Sequence, residues 1–282
     1  MSQKSYNNTP TLYLIPTPIG NMDDITIRAI NTLKEVEVIF SEDTRVTGLL
    51  LKKLGFKKKL IANHEHNEIK NKELAIGYLA SGYNIGLVSD RGTPIISDPG
   101  YGITNYVIKK GYNVVSLPGP TALIPALTAS GIKPMPFLFY GFLDSNENKR
   151  IKELEELKNQ KATIILYEAP HRIEKTLGNI LKIIGNRKIS ISREISKRYE
   201  EVYRGTVEEV KKQVIDIKGE IVIILDGNNK GENYDNCTLI EHIEQYITDG
   251  YKVMDAIKAV SKDRSLKKSD VYNEYLNNKG RW

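Results

Sequence analysis

The chain reads as a two-domain α/β protein: a mostly parallel N-terminal sheet, a mixed C-terminal sheet and a small helical C-terminal appendage. Three observations predict this. From Leu12 to Ser130, short apolar runs alternate with helical patterns, as expected of parallel strands joined by crossover helices. Gly131–Pro136 then interrupts the pattern with Gly and Pro, which marks a domain boundary. Gly227–Asn236, GNNKGENYDN, carries four Asn and two Gly in ten residues, the composition of a linker. The expected organisation is a polar tail at 1–10, domains at 11–131 and 132–226, a linker at 227–236 and helices within 237–282.

The elements follow in order. Leu12–Ile15 is a strand. Met22–Glu35 reads as one amphipathic helix, with Ile27, Ile30 and Leu33 at helical spacing and Asp23 or Asp24 as its cap. Val36–Phe40 is a strand, and Thr47–Leu54 and Asn67–Ser81 are helices. Strand Asn84–Val88, helix Gly102–Lys110, strand Asn113–Leu117 and helix Thr121–Ser130 complete the first block. The second block runs strand Phe137–Phe142, helix Glu147–Gln160, strand Ala162–Tyr167, helix Pro170–Ile184 and strand Lys188–Arg193. Strand Glu201–Gly205, helix Thr206–Ile217 and strand Glu220–Leu225 end it, alternating less strictly, hence the mixed sheet. Beyond the linker, Leu239–Thr248, Val253–Ser261 and Lys268–Leu276 are helical.

The bulk composition narrows the class. At 282 residues, 40% hydrophobic and 27% charged, the chain is an ordinary globular protein long enough for two cores. No apolar run approaches the ~20 residues of a membrane helix, and MSQKSYNNTP lacks the apolar core of a secretory signal. The single cysteine, Cys237, excludes an internal disulfide and a cysteine metal cluster, so the cytoplasm is expected. The net charge of +6 is mild, but Tyr251–Trp282 holds eight Lys or Arg against four Asp or Glu. Its densest part, Lys262, Arg264, Lys267 and Lys268, suits RNA phosphates and equally a solvated helical face.

Function is concentrated in the loops that follow strands. Ile85–Gly102, IGLVSDRGTPIISDPGYG, feeds an apolar strand into a loop with two Asp, three Gly and two Pro. Ile15–Asn21 (IPTPIGN), Leu117–Thr121 (LPGPT) and Tyr167–Arg172 (YEAPHR) stand in the same position after other strands. Open α/β sheets bind ligands at the carboxyl ends of their strands, where such loops converge. Neither G-x-x-x-x-G-K-[ST] nor a strand-borne G-x-G-x-x-G occurs, which excludes a P-loop and counts against a dinucleotide fold. In His64-Glu65-His66 the two imidazoles point to opposite sides of a strand, so no metal site is expected.

In this order PTPIGN, SEDTR (Ser41–Arg45), HEHN (His64–Asn67), SDRGTPIISDPG, LPGPTA, YEAPHR and SREISK resemble the bacterial small-subunit ribosomal RNA cytidine 2′-O-methyltransferases of the tetrapyrrole methylase superfamily. The resemblance runs from about Leu12 to Leu225 and resumes near the C-terminus. It implies the tetrapyrrole-methylase-like two-domain fold, a homodimer, and S-adenosylmethionine as methyl donor to a decoding-centre cytidine. Two positions depart from the family pattern: Arg91 replaces a small residue, usually Ala, and Asp144 replaces Pro.

The residues that would surround the cofactor are Pro18, Asp90, Arg91, Gly92, Thr93, Pro94, Thr121, Ala122, Leu166, Tyr167, Gly219, Glu220 and Ile221. Removing a proton from a ribose hydroxyl calls for a general base, and the matching motifs offer Glu42, Asp43, His64, Glu65 and Asp98. Glu42-Asp43-Thr44-Arg45 is equally an ion pair and helix cap. Glu168 can cap a helix, with Arg172 reaching solvent or phosphate. Arg28, Arg45, Arg91, Arg172, Arg193, Lys197 and Arg198 could contact phosphate, though each alone is more often a solvated surface charge. Arg91 should turn away from a sulfonium toward a carboxylate or RNA, because a fixed cation beside it is unfavourable. Two other readings compete: a corrinoid-pathway C-methyltransferase of the same superfamily, and a non-catalytic RNA-binding assembly factor.

Overall fold

Five short strands, β1 (Thr11–Leu14), β2 (Val38–Ser41), β3 (Lys59–Ala62), β4 (Ile85–Val88) and β5 (Asn113–Ser116), pair in the order β3-β2-β4-β1-β5. Every pairing is parallel. The structure is a computed structural model that describes residues 2–5, 7–64, 67–228, 237–264 and 266–279. β2 and β4 are buried along their whole length, as parallel strands covered on both faces must be. Leu12, Leu14, Phe40 and Leu87 pack on one face with Leu79 of α3 (Glu68–Ala80) and Val107 of α4 (Tyr101–Lys109). Ile15, Ile39 and Val88 pack on the other with Leu33 of α1 (Ile27–Glu35) and Leu51 of α2 (Thr44–Lys53).

Three local expectations are corrected. Met22–Glu35 is not one helix: a 3-10 turn at Met22–Asp24 is capped by Asn21, the chain extends at Ile25, and α1 begins after Thr26. The cap is therefore Thr26, whose hydroxyl accepts from the Ala29 N–H at 3.0 Å, rather than Asp23 or Asp24. Strand β3 lies where no element was expected. Its first residue, Lys59, ends a lysine run and is exposed, and Leu60, Ile61 and Ala62 are half-buried at the sheet edge, so the apolar stretch is only three residues long. The third concerns α5 (Leu123–Ala129), which was taken to close the first block. It packs Ala126 and Leu127 on Ile165, Val222 and Ile224 of the second sheet.

That second sheet comprises β6 (Phe137–Phe142), β7 (Thr163–Glu168), β8 (Lys188–Arg193), β9 (Glu201–Thr206) and β10 (Ile221–Leu225), ordered β6-β7-β10-β8-β9. β6 and β7 run parallel and the other neighbours antiparallel, so the sheet is mixed. Ile164, Leu166, Ile221 and Ile223 alternate onto the face covered by α6 (Glu147–Leu157), α7 (Ile173–Ile183) and α8 (Val207–Gln213). The intervening residues Ile165, Val222 and Ile224 give α5 its apolar seat. The chain divides into compact units at Met1–Asp226 and Gly227–Trp282, and both sheets lie in the first.

The second unit is a three-helix cluster, α9 (Leu239–Thr248), α10 (Val253–Asp263) and α11 (Lys268–Lys279). Its own core is Ile243, Ala256, Ile257, Val260, Val271 and Tyr275. Most of the expected linker, residues 229–236, lies outside the described residues.

Candidate functional site

The loops at the carboxyl ends of β2, β4, β1 and β5 stand side by side because their strands do. Hydrogen bonds lock them together. The Asp43 N–H donates to Asp90 Oδ1 at 3.0 Å. Thr17 and Gly92 exchange both backbone bonds, at 2.9 and 3.0 Å. The Thr93 hydroxyl donates to the Pro120 carbonyl at 2.9 Å. Gly92 takes φ +80°, and a Cβ there would lie 3.2 Å from Ile19 Cγ2 and 3.6 Å from the Pro120 carbonyl oxygen. Ile95 also takes a positive φ, 79°, which a β-branched residue adopts only under strain. Such strain concentrates at ligand sites.

The second sheet supplies the opposite wall. Its register sets Glu168, Ile221 and Arg193 in one row, so the end of β7, the start of β10 and the loop after β8 share a rim. The Tyr167 hydroxyl reaches Thr121 and the Leu123 backbone, and its ring meets Phe142 edge-on at 5.6 Å. Between the walls lies a cleft of about 570 Å³, within the range of small-molecule sites. Ile19, Val46, Ile96, Phe142, Ile195 and Val222 form apolar wall that the sequence did not single out. Ile19, Ile96 and Ile195 stand in loops without a repeating pattern, whereas Val46, Phe142 and Val222 belong to α2, β6 and β10, where the pattern marks an element and not a ligand wall.

Of the residues expected around a cofactor, Asp90, Arg91, Gly92, Thr93, Thr121, Ala122, Tyr167, Glu220 and Ile221 line this cleft. Pro18, Pro94, Leu166 and Gly219 are not among its lining residues: Pro94 and Leu166 are buried behind it, and Gly219, at φ +93°, turns the chain into Glu220. Among the candidate bases the cleft gathers Glu42 and Asp98, together with Asp90. Asp43 is instead the cap of α2 and is gripped by Arg45, whose Nη2 lies 2.6 Å from Oδ2. That pairing holds its carboxyl down at about 2. His64 is exposed in the turn after β3 and bonds Asn67 through its backbone N–H at 2.9 Å. Glu65 lies outside the described residues.

Three of the cleft's carboxyl groups, Glu42, Asp90 and Asp98, hold their protons more tightly than free side chains do. Burial raises Asp98 first, and the Glu42 and Asp90 charges add to it against a Ser89 hydroxyl bond, bringing it to about 6. Burial likewise raises Glu42 and Asp90, opposed by the backbone N–H groups of Asp90 and Asp43 respectively. A carboxylate near 6 is ionised at neutral pH and basic enough to accept a proton.

The basic residues mostly have other tasks. Arg91 Nη1 pairs with Glu220 Oε1 at 2.5 Å, and Lys197 bridges Glu220 and Glu194 at 2.9 and 2.8 Å. Arg193 pairs with Glu201 at 2.8 Å. Arg172 is mostly turned inward: it donates to the Leu143 and Asp144 carbonyls, at 2.7 and 3.1 Å, and lies 3.2 Å from Glu168. Glu168 is no surface cap either. It is buried, accepting from the Thr176 hydroxyl at 2.5 Å and the Ala169 N–H at 2.8 Å. Within the basic cluster of the second unit, Arg264 is committed to the Cys237 and Thr238 carbonyls, at 2.8 and 3.1 Å. Lys262, Lys267 and Lys268 remain exposed. Among the described residues no three His, Cys, Asp or Glu side chains converge to hold a metal.

The profile of the Tetrapyrrole (Corrin/Porphyrin) Methylases matches residues 11–211, from β1 through α8. The chain belongs to this methylase family. Ribosomal RNA small subunit methyltransferase I of Bacillus subtilis is 44% identical over 283 residues, covering 98% of this chain and 97% of its own. The protein of that name from Halalkalibacterium halodurans is also 44% identical, over 97% of this chain and 98% of its own. The fold matches uroporphyrin-III C-methyltransferase from Thermus thermophilus, solved complexed with S-adenyl homocysteine, at a TM-score of 0.54 and 19% identity. That match covers 77% of this methylase and 97% of the solved chain. The chain is a methyltransferase, and no helix in its described residues is long and apolar enough to cross a membrane.

Proposed function

We propose that this methyltransferase transfers a methyl group from S-adenosylmethionine to the ribose 2′-oxygen of a cytidine in the decoding centre of small-subunit ribosomal RNA. Similarity over nearly the full length to two proteins named for small-subunit ribosomal RNA methylation carries the substrate class. The cleft's chemistry suits the cofactor. Its apolar and aromatic wall would take an adenine, Glu42, Asp90 and Asp98 would attract a ligand bearing sulfonium and ammonium charges, and the Arg91 cation is neutralised by Glu220. Gly92, held at positive φ, lets backbone approach the ligand closely.

When bound, S-adenosylmethionine supplies a methyl group already activated on sulfur, so the protein's work is alignment and proton removal. Asp98, pushed up to about 6, is the carboxylate best matched to that removal. It would take the proton of the 2′-hydroxyl as that oxygen gains its methyl group. Asp90 Oδ1, held by the Asp43 N–H, and Glu42, which accepts from the Asp90 N–H at 3.3 Å, keep the acidic wall in place. The protein would act as a cytoplasmic homodimer on an assembled small-subunit particle.

The two near-full-length relatives are named for ribosomal RNA methylation, which favours RNA over a tetrapyrrole substrate. The methylase family match and the methyltransferase names of both near-full-length relatives speak against a non-catalytic assembly factor. The test is incubation with methyl-labelled S-adenosylmethionine and small ribosomal particles from a strain lacking the activity, followed by nucleoside mass spectrometry. Label in 2′-O-methylcytidine is expected. Label in a base carbon, or none above a no-enzyme control, would overturn the reading.

A further inference from the structure

A second cavity of about 500 Å³ adjoins the cleft and shares Ser97 and Asp98 with it. Helix α4 forms one side: Gly102, Asn105 and Lys109 recur along it at three- and four-residue intervals. At 1.5 Å per residue that stripe is about 10 Å long. Lys72 of α3 lines the same space, and Tyr101, 70% exposed, stands at its edge. Among the described residues neither Lys72 nor Lys109 belongs to an ion pair. The two adjoining spaces are thus opposite in character. The cleft is lined by five carboxylates, Glu42, Asp90, Asp98, Glu168 and Glu220, and by one neutralised cation, Arg91, whereas the second cavity holds two lysines outside any ion pair and a single lining carboxylate, Asp98, where the two join.

Charge sorts the ligands. A sulfonium-bearing amino acid belongs with the carboxylates, and a phosphodiester belongs with the lysines. Single-stranded RNA adds unstacked bases, which rest on exposed aromatic rings, and riboses, which take amide hydrogen bonds. Building on the function proposed above, we propose that this second cavity is the RNA subsite. It would hold the nucleotide adjoining the methylated one, with the phosphate on Lys72 and Lys109, a base on Tyr101 and the target ribose at Ser97 and Asp98. Lys72, Lys109 and Tyr101 are then binding residues for substrate that make no contact with the cofactor.

The test uses the full chain and a labelled single-stranded cytidine-containing oligoribonucleotide, titrated by anisotropy at several salt concentrations. Lys72→Ala with Lys109→Ala should weaken binding roughly tenfold. It should also flatten the plot of log affinity against log salt by about 0.7 units, the share of one single-stranded phosphate. Tyr101→Ala should weaken binding with no change of slope, and Tyr101→Phe should restore it. S-adenosylmethionine titrated calorimetrically into the same preparations should bind as it does to the parent, which also checks their folding. An unchanged slope in the double variant, or an equal loss of cofactor affinity, would overturn the subsite. A parent protein that fails to bind RNA at all would sink the RNA reading with it, whereas a parent that binds independently of both lysines would sink the subsite alone.

Discussion

The Arg91 guanidinium meets the Glu220 carboxylate at 2.5 Å, tying the loop after β4 to the start of β10 across the cleft. Glu220 uses its other oxygen on Lys197, 2.9 Å away. The pair thereby accommodates an arginine where the resembling family carries a small residue: its charge is spent on a carboxylate from the opposite sheet. Both partners are more than half exposed, so the bond contributes no more than about 1 kcal/mol to stability.

Arg91→Ala should therefore leave S-adenosylmethionine affinity within about twofold, under roughly 0.5 kcal/mol, by calorimetry. A tenfold change would mean that the guanidinium contacts the cofactor. Glu220→Ala is the sharper variant, because it leaves both Arg91 and Lys197 without that partner beside the cofactor, and it should weaken binding more than Arg91→Ala does.

Gly92→Val tests the close approach. The left-handed backbone costs a non-glycine residue about 1–2 kcal/mol, and the new branch would press on Ile19 and the Pro120 carbonyl. The variant should melt several degrees lower and lose at least tenfold in cofactor affinity. Parent-like binding would show that the loop does not hold the cofactor.

Glu168→Ala removes a buried carboxylate from beside Arg172 and leaves the Thr176 hydroxyl and Ala169 N–H unanswered. Breaking a buried pair in this way costs about 3–5 kcal/mol, so chemical denaturation should report a large loss. Arg172→Ala should also destabilise by releasing the Leu143 and Asp144 carbonyls. A phosphate-binding role would instead lower RNA affinity and leave the fold intact.

In the second unit, Lys262→Ala, Lys267→Ala and Lys268→Ala together should flatten the salt dependence of RNA binding by about two units, at about 0.7 per single-stranded phosphate. Arg264→Ala should act differently. It frees the Cys237 and Thr238 carbonyls, so it should lower the unit's melting temperature. An unchanged slope in the triple variant would assign these lysines to a solvated helical face.

The parts legible in the sequence were those with a repeating signal. Alternating apolar runs located nine of the ten strands, and Lys188–Arg193 and Phe137–Phe142 match their predicted bounds. The strand-end loops carry Asp90–Thr93, Thr121 and Tyr167, which line one cleft, and the family resemblance adds Glu220. What remained hidden depends on contacts between distant segments. The seat of α5 on the second sheet requires knowing that Ile165 and Val222 face it. Arg172, read as a solvent-facing cation, turns inward because Glu168 is buried four residues before it. Choosing among the candidate bases needed burial: Asp43 and Asp98 are both aspartates in conspicuous motifs, yet Arg45 holds one at about 2 and a desolvated acidic wall lifts the other to about 6.

The raised Asp98 also bears on stability. The folded state holds its proton more tightly than the unfolded chain, whose ordinary value is 3.8, so Asp98 costs stability as pH rises from about 4 through 6. Asp98→Asn should melt higher than the parent at pH 7, and that advantage should fade below pH 4. An advantage independent of pH would place the gain elsewhere.

The pH dependence of single-turnover methylation, parent against Asp98→Asn, tests the central claim most directly. The parent's rate should climb as Asp98 loses its proton through about pH 6 and level off above it. In Asp98→Asn that limb should vanish and the plateau should fall by 10²–10⁴-fold, the usual worth of a general base, while S-adenosylmethionine still binds. A variant that keeps the parent's plateau and the same inflection would contradict the account.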